Sequence, residues 1–387
     1  MKKILFISTS NLNPYFFSGD TIRAINIIKL LRKKNIVDTI TIGNENKISQ
    51  TNVLDKKNSD YVFKSNNFLL KIFFSFKSLL FLKPIQFGFF FSKKIKEFVK
   101  KNYKNYDTII CHLNRSTQYL PSDFKGNKIL EMTDLESNNY NQRKKYLRIY
   151  NPLYFLYVIE YFLIKNFEKK STKIFDKIIL VSKNDCLKKV NFSKKKIKII
   201  SNGVNGNKYL YKFNKKNNKI IFIGNINYLP NKDACIFFAR KILPELNKHN
   251  PFLKFEIIGN INFLNKLSFL FFKNVQCVGS VKKLERYIKN SICGLSNLRV
   301  ATGVQNKILT YGSFGVPVIC SLKSVQGLTF LKNNKDVIIF KNNDELIKKI
   351  NFLISNIKFA NRISKNIYFK TKNVSWSKIL KDYQAII

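Results

Sequence analysis

Residues Arg299–Pro317 read RVATGVQNKILTYGSFGVP, and this stretch decides the fold. A short apolar run, Ser291–Leu295 (SICGL), comes before it, and another, Val316–Cys320 (VPVIC), closes it. Strand, glycine-bearing loop, amphipathic helix and strand again make one turn of a parallel αβ sheet. The spacing predicts a loop ending at Gly303 and a helix over Val304–Phe314. The free N–H groups and positive dipole end of that helix would face the strand tips, where an anion, most commonly phosphate, is held. Lys307 falls one turn inside the helix, with its ammonium in reach of the same anion. The spacing alone fits equally well a surface loop ahead of an ordinary crossover helix.

The rest of the chain repeats this alternation. Lys3–Thr9 reads as a buried parallel strand, followed by a polar loop, Ser10–Asp20, and a helix from Asp20 to Lys34 with Ile22, Ile25, Ile28 and Leu31 at helical spacing. Val37–Ile42 is the second strand. Tyr106–His112, Lys128–Met132, Asp176–Ser182 and Ile197–Ser201 read as further strands. The pattern then restarts: a strand at Asn218–Gly224, a helix over Asn231–Leu246, strands at Phe255–Gly259 and Asn274–Gly279, and a helix over Lys282–Lys289. Two αβ halves meeting in the Asn/Lys-rich residues 203–217 mark a domain boundary. Ser375–Ile386, with the lone Trp376, reads as a final amphipathic helix and Trp376 as its packing anchor.

Phe68–Val99 strings Phe and Leu together with Lys and is broken by Pro84 and Gly88; Asn151–Lys169 repeats the theme. Two readings stand: core-packing helices, or helices lying in a membrane interface with Phe inserted and Lys toward headgroups. Neither stretch has about 18 uninterrupted apolar residues, so neither crosses a bilayer as it stands.

Of 387 residues, 45% are hydrophobic, which excludes disorder as the default, and 70 Lys+Arg against 23 Asp+Glu give a formal net charge of +47. Nine of the basic residues are Arg and 61 are Lys. AT-rich codons account for so many Lys, Asn, Ile and Phe. Whatever its origin, such a surface is drawn to anionic headgroups or polyanions, and salt weakens the attraction. The six cysteines form no CxxC pair and read as reduced packing residues of a cytoplasmic protein. With two histidines and no Cys/His cluster, a conventional zinc site is not expected. MKKILFISTS starts like a signal peptide, but its apolar run is that of a first strand. GxGxxG, GxxxxGK[ST] and GxSxG are all absent, which argues against nicotinamide, P-loop and α/β-hydrolase chemistry. No nucleic-acid recognition module is present, so no nucleic-acid partner is expected.

Five segments in order resemble the family-4 glycosyltransferases of the two-domain GT-B fold, closest to bacterial exopolysaccharide-associated sugar transferases. They are the first strand with Ser18–Arg23 (SGDTIR); Glu131–Ser137 (EMTDLES); Phe175–Ser182 with Ser201–Val204 (SNGV); Ile221–Ala234 (IFIGNINYLPNKDA); and Asn297–Pro317. The resemblance covers essentially the whole chain. It implies two Rossmann-like αβ domains facing each other across a cleft: residues 1–203 for the acceptor and 204–370 for the donor, with residues 371–387 packing back toward the first.

The implied reaction is a retaining, metal-free sugar transfer from a nucleotide diphosphate sugar to a lipid-linked saccharide. The setting would be cell-surface polysaccharide synthesis, in a cytoplasmic protein peripheral on the inner face of the cell membrane and drawn to its anionic surface. Arg299 and Lys307, with the backbone of Gly303, Val304 and Gln305, would neutralise the diphosphate leaving group. Gly224, Asn225 and Asn231 would face the same phosphates. Gly19, Asp20 and Arg23 would line the acceptor side. Asp134 is the candidate polar group near the reacting sugar, its alternative being a helix cap or loop carboxylate; His112 is a catalytic candidate or a structural histidine. His249, in the Lys-rich end of a helix, reads as solvated.

The departures matter. The family's Glu-x7-Glu pair falls on Thr302 and Thr310. A hydroxyl cannot supply the charge-assisted pair that a carboxylate gives two ribose hydroxyls. The family's phosphate-binding Arg and Lys after the first strand of the second domain are missing, with Asn225 and Pro230 nearby instead. A catalytically inactive GT-B scaffold at the membrane is therefore an alternative, and a polyanion binder using the charge alone is another.

Overall fold

The computed structural model describes residues 1–12, 19–53, 56–183, 196–209, 211 and 217–387. Ser18, Cys186, part of the Ser10–Asp20 loop and residues 210 and 212–216 of the expected linker lie outside the described residues. The chain divides into two units, one built on Asp20–Ser201 with the start of the chain and Leu380–Ile387, the other on Asn202–Ile379.

The first unit is an eight-stranded sheet in the order β3-β4-β2-β1-β5-β6-β7-β8. Its strands are β1 (Lys3–Ser8), β2 (Ile36–Gly43), β3 (Lys47–Val53), β4 (Lys56–Lys64), β5 (Thr108–His112), β6 (Asn127–Thr133), β7 (Lys177–Leu180) and β8 (Ile197–Ile199). All pairs are parallel except β3 with β4. β1 is covered on both faces, so Ile4, Leu5, Phe6 and Ile7 are fully buried and the strand is apolar throughout rather than alternating. Helix α1 (Gly19–Leu31) lays Ala24, Ile27, Ile28 and Leu31 on the sheet at helical spacing. The β3–β4 hairpin has no counterpart among the expected strands. The edge strand β3 (KISQTNV) is mostly polar, as an edge requires, and the apolar signal of β4 is confined to Tyr61–Phe63.

Phe68–Val99 resolves into three helices rather than two: α2 (Phe68–Leu80), α3 (Ile85–Phe89) and α4 (Lys93–Asn102). Leu82, at φ 50, and Pro84 break the chain between the first two. A Cβ on Gly88 would overlap the backbone of Phe74, so the glycine permits the close crossing of α2 over α3. The core-packing expectation fails for α2, which has no buried residue, while α4 buries only Ile95 and Val99.

Helices α5 (Glu136–Arg143) and α6 (Pro152–Ile174) follow. The buried side chains of α6 are Glu160, Ile164, Glu168 and Ser171. The two carboxylates act as caps for their neighbours. Glu160 accepts from the backbone N–H groups of Ile85 (2.7 Å) and Gln86 (3.1 Å), and Glu168 from that of Ser137 (3.1 Å) and from its hydroxyl.

Burial pushes both carboxyls up from 4.5 to about 7. Between those values the native chain holds protons that the unfolded chain has released, so stability falls as pH rises through that window. The bound is on the order of 3 kcal/mol for each group. Urea denaturation is expected to show this fall between about pH 5 and pH 7.5, flattened in a Glu160→Gln/Glu168→Gln variant. An unchanged slope in that variant would remove the carboxyls as its cause.

The second unit is a six-stranded, all-parallel sheet in the order β11-β10-β9-β12-β13-β14. The strands are β9 (Lys219–Ile223), β10 (Lys254–Ile258), β11 (Val275–Gly279), β12 (Ser291–Ser296), β13 (Val318–Ser321) and β14 (Ile338–Phe340). The order reverses between β9 and β12, the first and fourth strands of the unit. In doubly wound sheets a ligand sits at that switch point.

The expected helix from Asn231 starts at Leu229 and turns into a π segment over Phe238–Ile242, next to Pro244, which lacks a helical donor. Lys282–Lys289 yields only one turn, Glu285–Ile288. The single closing helix expected over Ser375–Ile386 is two short turns, Trp376–Ile379 and Lys381–Gln384. Trp376 is buried, and Gly203 admits its backbone: a Cβ there would lie 2.7 Å from the Trp376 Cα. All five described cysteines are free, four of them buried and Cys277 half-buried.

Candidate functional site

At the switch point of the second unit, the carboxyl ends of β9 and β12 carry Gly224 and the loop Asn297–Gln305. Helix Asn306–Ser313 starts two residues later than the spacing predicts, with Gln305 as its cap. Val304 is therefore a buried loop residue rather than a helix-start donor. Gly303 holds φ 58, a conformation that L side chains rarely adopt, and a Cβ on Gly327 would strike its carbonyl.

Lys307 is 8% exposed, and its Nζ donates 2.7 Å to Asn231 Oδ1 while lying 3.9 Å from the centre of the Phe222 ring. Asn231 in turn donates 2.8 Å to the Asn225 carbonyl beside Gly224. Among the described residues no carboxylate pairs with this ammonium. Burial lowers its pKa from 10.5 to about 7, with the field of Cys235 opposing. A buried cation met by an amide oxygen and an aromatic face, with no carboxylate paired to it among the described residues, is poorly compensated and suited to an incoming anion.

Tyr311 sits behind it. Its hydroxyl accepts from Ile223 N (2.7 Å) and lies 3.3 Å and 3.2 Å from the carbonyls of Ile221 and Leu295. The ring takes the space that a Cβ on Gly294 would need. It bridges β9 and β12 near their carboxyl ends, and nothing in the sequence signals that role.

Two expected donor residues are engaged elsewhere. Arg299 donates to both carboxylate oxygens of Asp233, with Nε at 2.9 Å, and lies over Phe237, so its charge is offset at an exposed surface. The Thr310 hydroxyl donates 3.0 Å to the Asn306 carbonyl, back-bonding within its own helix. Thr302 is half-buried, and its carbonyl accepts from the Gln305 side chain at 3.0 Å.

In the first unit the sequence candidates gather at the carboxyl ends of β1, β5 and β6. His112 is fully buried and stacked on Phe6, with Nδ1 3.2 Å from Ser8 Oγ. Its Nε2 has no hydrogen-bond partner among the described residues. Burial lowers its pKa to about 4, so the ring is neutral at pH 7. Asp20 accepts 2.9 Å from the Ser10 hydroxyl, which with Thr9 also holds the Arg115 guanidinium. Gly19 opens α1 and is exposed.

Leu113, directly after His112, and Thr133, directly before Asp134, adopt φ 68 and φ 66. For a β-branched Thr this is an outlier costing about 1–3 kcal/mol. Such strain clusters at functional sites, and here it re-aims the chain at both candidates.

Arg23 does not line an open surface. It is 1% exposed, its Nε donates 2.8 Å to Glu131 and its Nη1 2.9 Å to the Ser201 carbonyl. A lone guanidinium could not be buried, and Glu131, itself fully buried, is what permits it. Among the described residues no group of three or more His, Cys, Asp or Glu is placed to hold a metal ion.

Residues 217–356 match the family model described as glycosyl transferases group 1. A 44.6 kDa protein in the cps region of Klebsiella pneumoniae, itself uncharacterized, is 28% identical over 167 residues; the match spans 41% of this chain and 40% of that relative's length. Among solved structures, sucrose-phosphate synthase from Thermosynechococcus elongatus superposes with a TM-score of 0.74 at 13% identity, over 100% of this chain and 98% of its own. Anabaena Alr3699/HepE in complex with UDP and glucose gives 0.67 at 12% identity, over 100% and 99%. The resemblance read from the sequence is thus borne out: the chain has the two-domain fold of the GT-B glycosyltransferases, and residues 217–356 carry the pattern of glycosyl transferases group 1.

Proposed function

We propose that the protein transfers a sugar, with retention and without a metal, from a nucleoside diphosphate sugar to a lipid-linked saccharide at the cytoplasmic face of the membrane. Breaking the bond between the anomeric carbon and the phosphate oxygen leaves an electron pair, and hence growing charge, on the diphosphate. The observation that carries the reading is Lys307, a buried amine at the β9/β12 switch point that no carboxylate pairs with among the described residues. An anion there raises its pKa back toward the ordinary lysine value, and the fixed charge then stabilises the leaving group. With Arg299 held by Asp233, this role falls to Lys307 and the helix start at Asn306. Solved structures of Alr3699/HepE with UDP and with UDP-glucose support a uridine nucleotide as the first donor to test. The relative in a cps region supports a place in cell-surface polysaccharide synthesis.

The scaffold alternative is favoured by one observation, the Thr310 hydroxyl that spends its proton on Asn306. A thermal-shift screen with UDP, GDP, ADP and CMP separates the two readings. A ligand bound only by the folded state adds about 2.7 kcal/mol at a hundredfold excess over its Kd. The expected result is a raised midpoint with one diphosphate, followed by release of that diphosphate from its sugar conjugate when a lipid-linked acceptor is added. No shift with any nucleotide at millimolar concentration would leave the inactive scaffold as the reading.

A further inference from the structure

We propose that the outward faces of α2 and α6 form a bilayer-docking surface, with Phe and Leu entering the interface and the flanking lysines meeting anionic headgroups. The inference deepens the membrane part of the reading above and rests on it, but it is independent of the donor site. Both helices belong to the first unit and both pack on α3, α2 through the Gly88 crossing and α6 through Glu160 and the Phe87–Phe167 ring pair.

Each helix is turned inside out. On α2 the half-buried positions are Lys71, Phe74, Ser75, Ser78 and Leu79, while Leu69, Ile72, Phe73, Phe76 and Leu80 stand 50–76% exposed at helical spacing. On α6 the buried stripe holds three polar side chains out of four, and Leu153, Phe155, Leu156, Ile159 and Phe162 face outward, Phe162 at 60%. Folding in water alone selects the opposite pattern, so these faces are covered in use.

Charge decides what covers them. The only acidic residues of α6 are Glu160 and Glu168, both buried, and α2 has none. What remains exposed around the apolar stripes is basic: Lys77, Lys83, Lys145, Arg148, Lys169 and Lys170. A second copy laid on the same face would set lysine against lysine with no carboxylate to answer it. An anionic lipid surface supplies the missing charge and takes the apolar stripe as well. No helix among the described residues is long and apolar enough to cross a membrane, and α2 at 13 residues spans about 20 Å, which suits lying in the interface plane.

Flotation of the full chain with vesicles of equal parts phosphatidylcholine and phosphatidylglycerol, at low and high salt, tests the proposal. A chain with so many lysines will bind by charge alone at low salt, so the high-salt arm reads insertion. The wild type is expected to stay on the vesicles in that arm, and Phe73→Ser/Phe76→Ser or Phe155→Ser/Phe162→Ser to partition about tenfold less. These side chains are exposed, so the fold is not at stake. A Phe73→Trp/Trp376→Phe variant should also be quenched by lipids brominated in the acyl chain. Serine variants that partition like the wild type, or no acyl-chain quenching, would overturn the proposal while leaving membrane attachment by charge intact. A wild type that ignores anionic vesicles at low salt would overturn both, and self-association lost in the serine variants would assign the face to a second copy instead. None of these outcomes bears on the nucleotide shift, so failure here is distinct from failure of the donor site.

Discussion

Replacing Lys307 by Met is expected to weaken nucleoside diphosphate binding by about a hundredfold while leaving the empty protein at least as stable as the wild type. Most substitutions of a buried residue lower both quantities together, so the opposite signs are the signature. The gain has a calculable origin. In the folded chain Lys307 titrates at about 7, against 10.5 when unperturbed. Between those values the unfolded chain binds the extra proton, so wild-type stability rises with pH through that window. Below about pH 7 the native state carries the buried charge, at a cost on the order of 5 kcal/mol. Methionine fills similar space without it. The loss on the ligand side is a charge-assisted contact to a phosphate, worth on the order of a hundredfold in Kd.

Calorimetry adds a check that does not depend on activity. At about pH 8 the empty site holds mostly neutral Lys307, and the diphosphate draws a proton onto it. Titrations in Tris and in HEPES should therefore give different apparent enthalpies for the wild type, corresponding to an uptake approaching one proton. Equal enthalpies in the two buffers would mean that Lys307 does not meet the anion.

The part of this site that the sequence disclosed is the part with a local cause. Arg299–Pro317 shows its strand, loop and helix through apolar runs and glycines, and Lys307 stands out as the basic residue near the helix start. The helix begins at Asn306, however, so Lys307 is its second residue rather than one turn inside. The strand order β11-β10-β9-β12-β13-β14 is the arrangement that right-handed crossovers produce from alternating elements. What stayed hidden depends on partners distant in the chain. Arg23 reads as a surface cation until Glu131, 108 residues away, is seen to bury it. Arg299 reads as a phosphate ligand until Asp233 takes it. Tyr311 looks like any helix residue, and its bridge between β9 and β12 exists only once those strands are neighbours. The strained backbone at Leu113 and Thr133 has no sequence signature at all, since neither residue type favours positive φ. The Phe-rich helices are a different case: both readings were visible in their composition, and only the exposure of α2 and α6 separates them.

Replacing Arg23 by Leu is expected to destabilise the first unit by about 3–5 kcal/mol, because it strands a buried carboxylate. Glu131 is fully buried, its pKa is raised by that burial and held down by the Arg23 charge and hydrogen bond, and Tyr383 of the C-terminal segment lies beside it. Removing the guanidinium leaves burial, which favours the neutral acid, opposed only by the hydrogen bond of Tyr383. The carboxyl then holds its proton to higher pH in the native state than in the unfolded one. The deficit is accordingly smallest near about pH 5 and grows toward pH 8.

A double-mutant cycle isolates the pair. Arg23→Leu/Glu131→Leu leaves two apolar side chains of moderate size where two charges stood, and replacing a buried pair together costs far less than breaking it. The double variant should therefore recover most of the loss. The lone Trp376 belongs to the second unit, so its fluorescence is the wrong probe. Hydrogen exchange at the β1 and β6 amides, read against urea, reports the unit in question. Additive single losses would mean that Arg23 and Glu131 act separately, Arg23 through its bond to the Ser201 carbonyl and Glu131 through its packing.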